Sequence, residues 1–266
     1  MLSMLALVAA TSVEPLVSTD WLQKHLDDPH VRVIATGDRD EYTHAHIPGA
    51  RFVEHMDTVG SDHRLLPPDK LATTLAAAGA EDGTHIVLYG DSPMTTGWLF
   101  MTLAAIGHAA DVSLLDGGIR LWQAEKRPTS TSLPPPASGP LTVRPAGDVI
   151  VDADWVRSHL DSTAVRILDV RTTDEWNHGH LPSATLVSWQ DLFADQSTLK
   201  FKSLDGIRGV FTQANVKPDQ QIVTYCAVGM RASLMYWAAR AAGLDARVYV
   251  GSWNDWRRSS TNPVAR

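Results

Sequence analysis

The chain repeats itself. Residues 20–50 read DWLQKHLDDPHVRVIATGDRDEYTHAHIPGA, and residues 154–184 read DWVRSHLDSTAVRILDVRTTDEWNHGHLPSA; at a constant offset of 134, 13 of these 31 positions are identical. Two later pairs of segments also correspond: HIVLYGD at 85–91 with QIVTYCA at 221–227, and LLDGGIRLW at 114–122 with VYVGSWNDW at 248–256. A repeat this long indicates a duplicated domain, not a short solenoid unit, so both halves must fold in the same way.

A proline-rich segment separates the two repeats. Residues 129–140 read TSTSLPPPASGP, and three successive prolines can neither continue a helix nor join the centre of a sheet. Such a segment is typical of an extended, semi-rigid linker. We therefore predict an N-terminal domain over 15–128, a linker over 129–142 and a C-terminal domain over 143–260, both domains being of ordinary size.

Each half alternates short apolar runs with helix-forming segments. HIVLY and QIVTY are continuous apolar runs of the kind buried on both faces of a sheet. Residues 71–80 and 233–243 have helical composition and end near a glycine. Alternating strands and helices predict an α/β fold in which each domain has an open parallel sheet flanked by helices. Ligands of such sheets bind at the carboxyl ends of the strands.

Composition excludes several classes of protein. The net charge of the 266 residues is −7, which argues against a nucleic-acid partner, because such proteins carry a basic excess. No apolar run approaches the ~20 residues that span a bilayer, so we expect no membrane partner. One cysteine excludes an internal disulfide and any Cys-x-x-Cys site.

The N-terminus bears on the compartment. MLSMLALVAATSVEP has a short apolar run that ends in small residues, as a signal peptide does, but no Lys or Arg precedes the run. We expect a cytoplasmic protein, with export to the periplasm or beyond as the alternative.

The single cysteine lies in the stretch IVTYCAVGMRAS, residues 222–233. We predict that a strand ends at Tyr225, that Cys226 to Arg231 form a turn and that a helix starts near Ala232. Gly229 permits a backbone conformation that other residues avoid. A curled loop before a helix directs N–H groups and partial positive charge at one point, which lowers the pKa of a thiol placed there.

This context predicts a nucleophilic cysteine that handles anions, with Arg231 as a permanent positive charge. The alternative is that Cys226 is a small apolar core residue. That alternative requires the thiol to be buried and protonated.

Three motifs in this order and spacing resemble the two-domain rhodanese family of thiosulfate and 3-mercaptopyruvate sulfurtransferases. They are D-V-R…E-W…G-H-L-P-S-A, C-x-x-G-x-R and G-S-W-x-x-W, and the resemblance covers about residues 15–256. It implies a tandem of rhodanese-like α/β domains, of which the C-terminal one is catalytic. The chain agrees, because Gly90 stands where the second half has Cys226, and Ala35-Thr36-Gly37 stand where it has Asp169-Val170-Arg171.

The resemblance also implies a double displacement. Thiolate Cys226 takes the outer sulfur of an anionic donor as a persulfide, and a thiophilic acceptor such as cyanide or a thiol then removes it. The catalytic residue is Cys226, and the expected donor-binding residues are Arg171, Arg231, Ala227, Val228, Gly229, Met230 and Ala232. No metal and no cofactor is required. We leave the oligomeric state open and expect a monomer.

Loop length separates this prediction from phosphatase or arsenate chemistry. Cysteine phosphatases have five residues between the cysteine and the arginine, whereas this chain has four, 227–230. A shorter loop makes a smaller cradle, suited to one sulfur atom instead of a tetrahedral phosphate.

The donor is harder to predict. Val228 matches neither the basic residue common two places after the cysteine in thiosulfate enzymes nor the serine common in mercaptopyruvate enzymes. We predict thiosulfate, because Arg171 and Arg231 could together hold a compact dianion. Mercaptopyruvate as donor, or a persulfide carrier with slow turnover, are the alternatives.

For several residues of the shared segments, a structural role competes with a role in catalysis or binding. Arg171 could form an ion pair with Asp174 or Glu175 instead of binding the donor. Residues common to most of the family are expected to maintain the fold: Asp169, Glu175, His46, His180 and Pro182. Trp253 and Trp256 are expected to pack in the core.

Overall fold

The computed structural model describes residues 13–61, 64–137 and 139–266. The first half forms one sheet, whose strands are β1 (Leu16–Val17), β2 (Val31–Thr36), β3 (Arg51–Phe52), β4 (His85–Gly90) and β5 (Val112–Leu115). The strands of the second half are β6 (Ile150–Val151), β7 (Val165–Asp169), β8 (Thr185–Leu186), β9 (Phe193–Asp195), β10 (Lys200–Phe201), β11 (Gln221–Tyr225) and β12 (Ala246–Tyr249).

The two sheets have the same topology. Their strand orders are β1-β5-β4-β2-β3 and β6-β12-β11-β7-β8, and every neighbouring pair is parallel. Strands β9 and β10 stand apart as an antiparallel ribbon. The prediction of two parallel-sheet α/β domains is confirmed, and the central strands β4 and β11 end at the same place in each domain.

Helices connect the strands. Those of the first half are α1 (Thr19–Lys24), α2 (Arg39–His44), α3 (Pro68–Ala77), α4 (Pro93–Ala105) and α5 (Gly118–Ala124). Those of the second half are α6 (Ala153–Ser158), α7 (Thr173–Asn177), α8 (Leu204–Gln213), α9 (Met230–Ala241) and α10 (Ser252–Trp256). Short 3₁₀ segments lie at His55–Thr58, Ala109–Asp111 and Trp189–Leu192. Capping also repeats, because Ser18 and Asp152, which correspond, each accept an N–H of the helix that follows.

Helices α4 and α9 join the two domains. Both are apolar on nearly all sides, and residues 96–104 and 232–239 are buried, as expected for helices with other elements packed around them. The axes approach closely at Gly97, where a Cβ would lie 2.5 Å from the Cα of Leu234. The hydroxyl of Ser233 also contacts the sulfur of Met101 at 3.4 Å. The two domains therefore share one apolar core across this helix pair.

The β9–β10 ribbon makes a second contact between the domains. The Phe201 N–H donates to the Asp116 carboxylate of the first domain at 2.8 Å. The Phe201 ring packs on Trp237 with centroids 4.8 Å apart, and the Trp237 indole N–H donates to the Pro15 carbonyl at 3.3 Å. The second domain thus reaches over the end of the first sheet.

The linker runs along the first domain. Its described residues, 129–137 and 139–142, contain no helix or strand apart from an isolated bridge between Ser130 and His46. Arg51 donates to the Pro135 carbonyl at 2.8 Å, and the Thr142 N–H donates to Asp82 at 3.1 Å. The domain boundaries themselves stay a prediction.

The longest helix of the described residues, α4, has 13 residues. Across residues 13–61, 64–137 and 139–266, no helix is long and apolar enough to cross a membrane. Most of the apolar N-terminal run that raised the export alternative, residues 1–12, lies outside the described residues.

Candidate active site

Cys226 lies at the carboxyl end of β11, the central strand of the second sheet. The chain then turns through residues 226–229 and enters α9. The helix begins at Met230, earlier than the predicted Ala232, because Gly229 in the left-handed conformation (φ +93°) serves as its N-cap. A Cβ at Gly229 would lie 2.8 Å from the Val250 carbonyl oxygen. The loop geometry therefore requires glycine there on two counts.

The sulfur of Cys226 is fully buried and faces hydrogen-bond donors. The Gly229 N–H donates to Sγ at 3.1 Å. The first turn of α9 supplies further N–H groups that have no partner within the helix, together with the positive end of its dipole. Burial and membership of the apolar core fit the core-residue alternative, whereas the Gly229 N–H and the Arg231 side chain are polar neighbours that an inert core thiol does not require.

Arg231 is held by a bidentate ion pair with Glu175. Its two terminal nitrogens donate to the two Glu175 oxygens at 2.7 and 2.8 Å. The hydrogen bonds from Arg231 lower the pKa of Glu175 to about 2, against a burial effect that raises it. The pKa of Arg231 is raised, first by Glu175 and further by the neighbouring Cys226 side chain. The Arg231 side chain thus interacts with both the Glu175 carboxylate and the Cys226 side chain.

Glu175 is in turn fixed by the start of α7. Thr172 donates to one Glu175 oxygen from both its N–H and its hydroxyl, each at 3.0 Å, and accepts the Glu175 N–H in a capping box. The sequence assigned Glu175 to the fold alone and so missed its contact with Arg231. The spacing T-x-x-E, typical of a capping box, was the available signal for its position.

The back of the loop is anchored by α10. The Cys226 N–H donates to the Ser252 hydroxyl at 3.1 Å, and that hydroxyl donates to the Tyr249 carbonyl at 2.8 Å. The Cys226 carbonyl accepts the Trp253 N–H at 3.0 Å, and the Ala227 carbonyl accepts the Asn254 N–H at 3.1 Å. These bonds engage the loop carbonyls on the α10 side. Ser252 has φ +56°, a strained value for a residue with a side chain, and no role was predicted for it.

Arg171 lies in a buried network beside the loop. It is 2% exposed and donates to both Asp169 oxygens, at 2.6 to 3.1 Å, and to the Gly179 carbonyl at 2.8 Å. The Tyr225 hydroxyl also donates to Asp169, at 2.5 Å. The guanidinium lies 4.7 Å from the centre of the Trp253 ring. Burial opposes the charge of Arg171, but Asp169 outweighs it and raises the pKa of the arginine.

The ion-pair alternative for Arg171 is therefore realised with Asp169, not with the expected Asp174 or Glu175. Its Nε and Nη2 donate to Asp169 and Gly179, and no hydrogen bond of Nη1 to a described residue is found, so the predicted contact with the donor has only Nη1 available. That contact stays a prediction. Alternate residues at a strand end share one face, so the spacing of Asp169 and Arg171 was an available signal for this pair.

The other predicted loop residues differ in burial, and their contact with a donor stays a prediction. Ala227 and Met230 are partly buried and Ala232 is fully buried. Val228 is 54% exposed, so an apolar side chain stands at the surface two residues after the thiol. Trp253 and Trp256 are buried in the core, as expected.

The first domain keeps a hydrogen bond that supports this site but has no thiol at the position of Cys226. The Tyr89 hydroxyl accepts the Ile47 N–H at 3.1 Å, as the Tyr225 hydroxyl accepts that of Leu181 at 3.1 Å. At the position of the thiol is Gly90, packed so closely that a Cβ would lie 2.5 Å from the Thr36 carbonyl oxygen.

Both domains match one family. Residues 18–125 and 152–259 each match the family model of the Rhodanese-like domain. The chain therefore belongs to the rhodanese-like family and carries two copies of its domain.

Relatives of the same two-domain length bear three kinds of name. The chain is 28% identical to the thiosulfate sulfurtransferase of Azotobacter vinelandii over 91% of this chain and 94% of that one. It is 30% identical to the sulfur carrier protein TtuD of Thermus thermophilus over 95% and 97%. It is 24% identical to the 3-mercaptopyruvate sulfurtransferase of Escherichia coli over 93% and 96%.

Solved structures agree on the fold. The SseA structure from Escherichia coli, a 3-mercaptopyruvate sulfotransferase with the rhodanese fold, superposes with a TM-score of 0.79 at 23% identity over 91% of this chain and 99% of that one. YnjE superposes with a TM-score of 0.83 at 24% identity over 95% and 68%.

Proposed function

We propose that the protein is a sulfurtransferase that moves sulfane sulfur from thiosulfate to a thiophilic acceptor through a persulfide on Cys226. The observation that carries the proposal is the Cys226 sulfur itself. It receives the Gly229 N–H at 3.1 Å, neighbours the Arg231 guanidinium and lies before the N-terminus of α9.

In the first step the Cys226 thiolate attacks the outer sulfur of thiosulfate. A sulfur–sulfur bond forms to the protein, the sulfur–sulfur bond of thiosulfate breaks, and its electron pair leaves with sulfite. In the second step an acceptor nucleophile, such as cyanide or a thiol, takes the outer sulfur, and the thiolate of Cys226 returns. Loop N–H groups and Arg231 stabilise the negative charge that stays on sulfur throughout.

Arg231 rather than Arg171 is the cation that we assign to the donor and the persulfide. Glu175 holds Arg231 in a fixed position and leaves its charge close to the thiol. Arg171, with Asp169, is assigned to support the sheet end from which the loop springs. The four-residue loop supports sulfur transfer over phosphate chemistry, because the Gly229 N–H already points at Sγ, leaving a cradle of single-atom size.

Thiosulfate is the proposed donor and 3-mercaptopyruvate the alternative. Exposed Val228 offers neither a charge nor a hydroxyl to either donor. A second candidate function is a persulfide carrier, supported by the 30% identity to a relative named as a sulfur carrier.

One assay separates these functions. The protein is incubated with thiosulfate or mercaptopyruvate and then with cyanide, thiocyanate is measured, and the mass of the protein is recorded; Cys226→Ser is the matched variant. We expect turnover with thiosulfate, a mass gain of one sulfur and loss of both in Cys226→Ser. Turnover that survives the serine variant would refute the mechanism, and a mass gain without turnover would favour the carrier.

A further inference from the structure

The first domain has a cleft where the second has its thiol. A small, solvent-open depression lies at the carboxyl ends of β2 and β4, between α2 and α5. Its polar and aromatic lining includes Thr36, Asp38, Glu41, Phe52, Asp91 and Gln123. This is the edge of a parallel sheet at which ligands bind.

Two buried oxygens in this cleft have no partner. Thr36 is 3% exposed, and its hydroxyl makes no hydrogen bond. One carboxylate oxygen of Asp91, Oδ1, is also buried and unpaired. Buried polar atoms without partners are uncommon in folded proteins, because they lose water and gain nothing. A ligand that donates hydrogen bonds would satisfy both atoms.

A retained carboxylate has lost its arginine. Glu41 corresponds to Glu175, whose carboxylate is held by Arg231 in the other half. The position of Arg231 is occupied here by Thr95. Among the described residues, no hydrogen bond or ion pair to the Glu41 carboxylate is found, and the side chain lies exposed at the rim of the cleft. The first domain thus keeps the carboxylate of this ion pair but lacks an arginine at the corresponding position.

The position that corresponds to Arg171 has also lost its arginine. Gly37 corresponds to Arg171, and a Cβ at Gly37 would lie 1.8 Å from the unpaired Asp91 oxygen. The Asp91 carboxylate therefore fills the space that a side chain at position 37 would enter. Where the catalytic half presents two arginines, this half presents acidic groups.

We propose that this cleft binds a small guanidinium compound. A guanidinium offers a planar fork of N–H donors that matches a carboxylate in bidentate fashion, and it stacks on aromatic rings. The Phe52 face is occupied by the Arg39 guanidinium, 4.6 Å from its ring centre, so a ligand that stacks there must displace Arg39 and otherwise binds through the carboxylates. Asp38, Glu41 and Asp91 outnumber this one cation and disfavour anions, the ligands proposed for the other half.

The test is a calorimetric titration of the full chain with ethylguanidinium. N-ethylurea, which has nearly the same shape and no charge, serves as the matched probe, and n-propylammonium tests whether a point charge suffices. Ethylguanidinium should bind, and the other two more weakly. Glu41→Gln and Asp91→Asn should each weaken binding by about tenfold or more, the effect of one charge-assisted contact.

The control variant is Asp40→Asn, an exposed carboxylate on the same helix that does not line the cleft. It should leave binding unchanged. Thr95→Arg should abolish binding, because it returns the arginine that Glu41 lacks. Absence of binding to the folded wild-type chain, equal binding of ethylurea, or equal losses in Asp40→Asn and Glu41→Gln would each overturn the proposal. Persulfide formation on Cys226 is measured in parallel and should be unaffected by Glu41→Gln, so the failure of either proposal is visible separately.

Discussion

Single side chains around Cys226 differ in what they can be expected to do when replaced. Arg231 and Glu175 form a half-buried pair that, in the proposed mechanism, holds one charge beside the thiol. Arg171 and Asp169 form a buried pair, 2% and 0% exposed, that supports the sheet end. Because the two pairs differ in burial, substitutions in them should differ in their effect on stability and on sulfur transfer.

Arg171→Ala should destabilise the fold by about 3–5 kcal/mol, because it leaves the buried Asp169 carboxylate uncompensated. The first domain shows how the loss can be tolerated, since it has Ala35 and Gly37 at the two positions. The double variant Asp169→Ala with Arg171→Gly should therefore be more stable than Arg171→Ala. Urea unfolding of the three proteins measures this. Unchanged stability of Arg171→Ala with a raised KM for thiosulfate would instead support the donor contact.

Glu175→Gln should lower stability in a pH-dependent way. The Arg231 hydrogen bonds lower the pKa of Glu175 from 4.5 to about 2. A lowered folded pKa gives stability that is present above the unfolded pKa and lost as pH falls through the folded one. The difference between wild type and Glu175→Gln should thus be full at neutral pH and shrink between pH 4.5 and about 2.

Urea unfolding across this pH range is the measurement for Glu175→Gln. Glu41→Gln is the control, because Glu41 is the equivalent residue and Thr95 stands where its arginine would be. A constant difference at every pH would show that the ion pair has no part in the loss. We also expect slower persulfide formation in Glu175→Gln, because Arg231 is no longer fixed.

At the scale of elements, the α4–α9 pair decides how the two domains are joined. Gly97 lets the helices touch, since a Cβ there would lie 2.5 Å from the backbone of Leu234. The start of α9 also carries the loop of Cys226, so a shift of this helix moves the thiol. Packing between α4 and α9 therefore affects both the contact between the domains and the position of Cys226.

Gly97→Ala should destabilise the protein by about 1–3 kcal/mol, the cost of overpacking a tight contact. Gly209→Ala in α8 is the control, because no atom lies within 4 Å of its added Cβ; it should stabilise by up to about 1 kcal/mol through helix propensity. Thermal and urea unfolding measure both. Equal effects of the two substitutions would mean that the close approach at Gly97 has no energetic weight.

For the whole molecule, the duplication made the fold predictable. Matching strands such as HIVLY and QIVTY had to end at the same sheet edge in both halves, so the place of Cys226 followed from the strand pattern. The loop residues 226–232 are consecutive, and their proximity needed no tertiary information.

Other features depended on contacts that no pattern records. The positive φ of Ser252 follows from its bonds to Cys226 and Tyr249, which lie across the sheet end. In the first domain the described counterpart of the β9–β10 ribbon is an antiparallel bridge between Val59 and Leu65, and pairing this short leaves no alternation pattern from which the sequence could predict it. The partner of Arg171 was missed because several carboxylates lay within reach and only packing chooses among them.

The close packing of Gly90 limits what evolution can do with this chain. Restoring a cysteine at that position would place its Cβ 2.5 Å from the Thr36 carbonyl oxygen, so the backbone would have to move before a thiol could be accommodated. Asp91 and Thr95 would also have to change, because they stand where the active half has Ala227 and Arg231. No single mutation returns the first domain to the chemistry of the second. A thiol at position 90 would therefore require a change of backbone as well as of side chains.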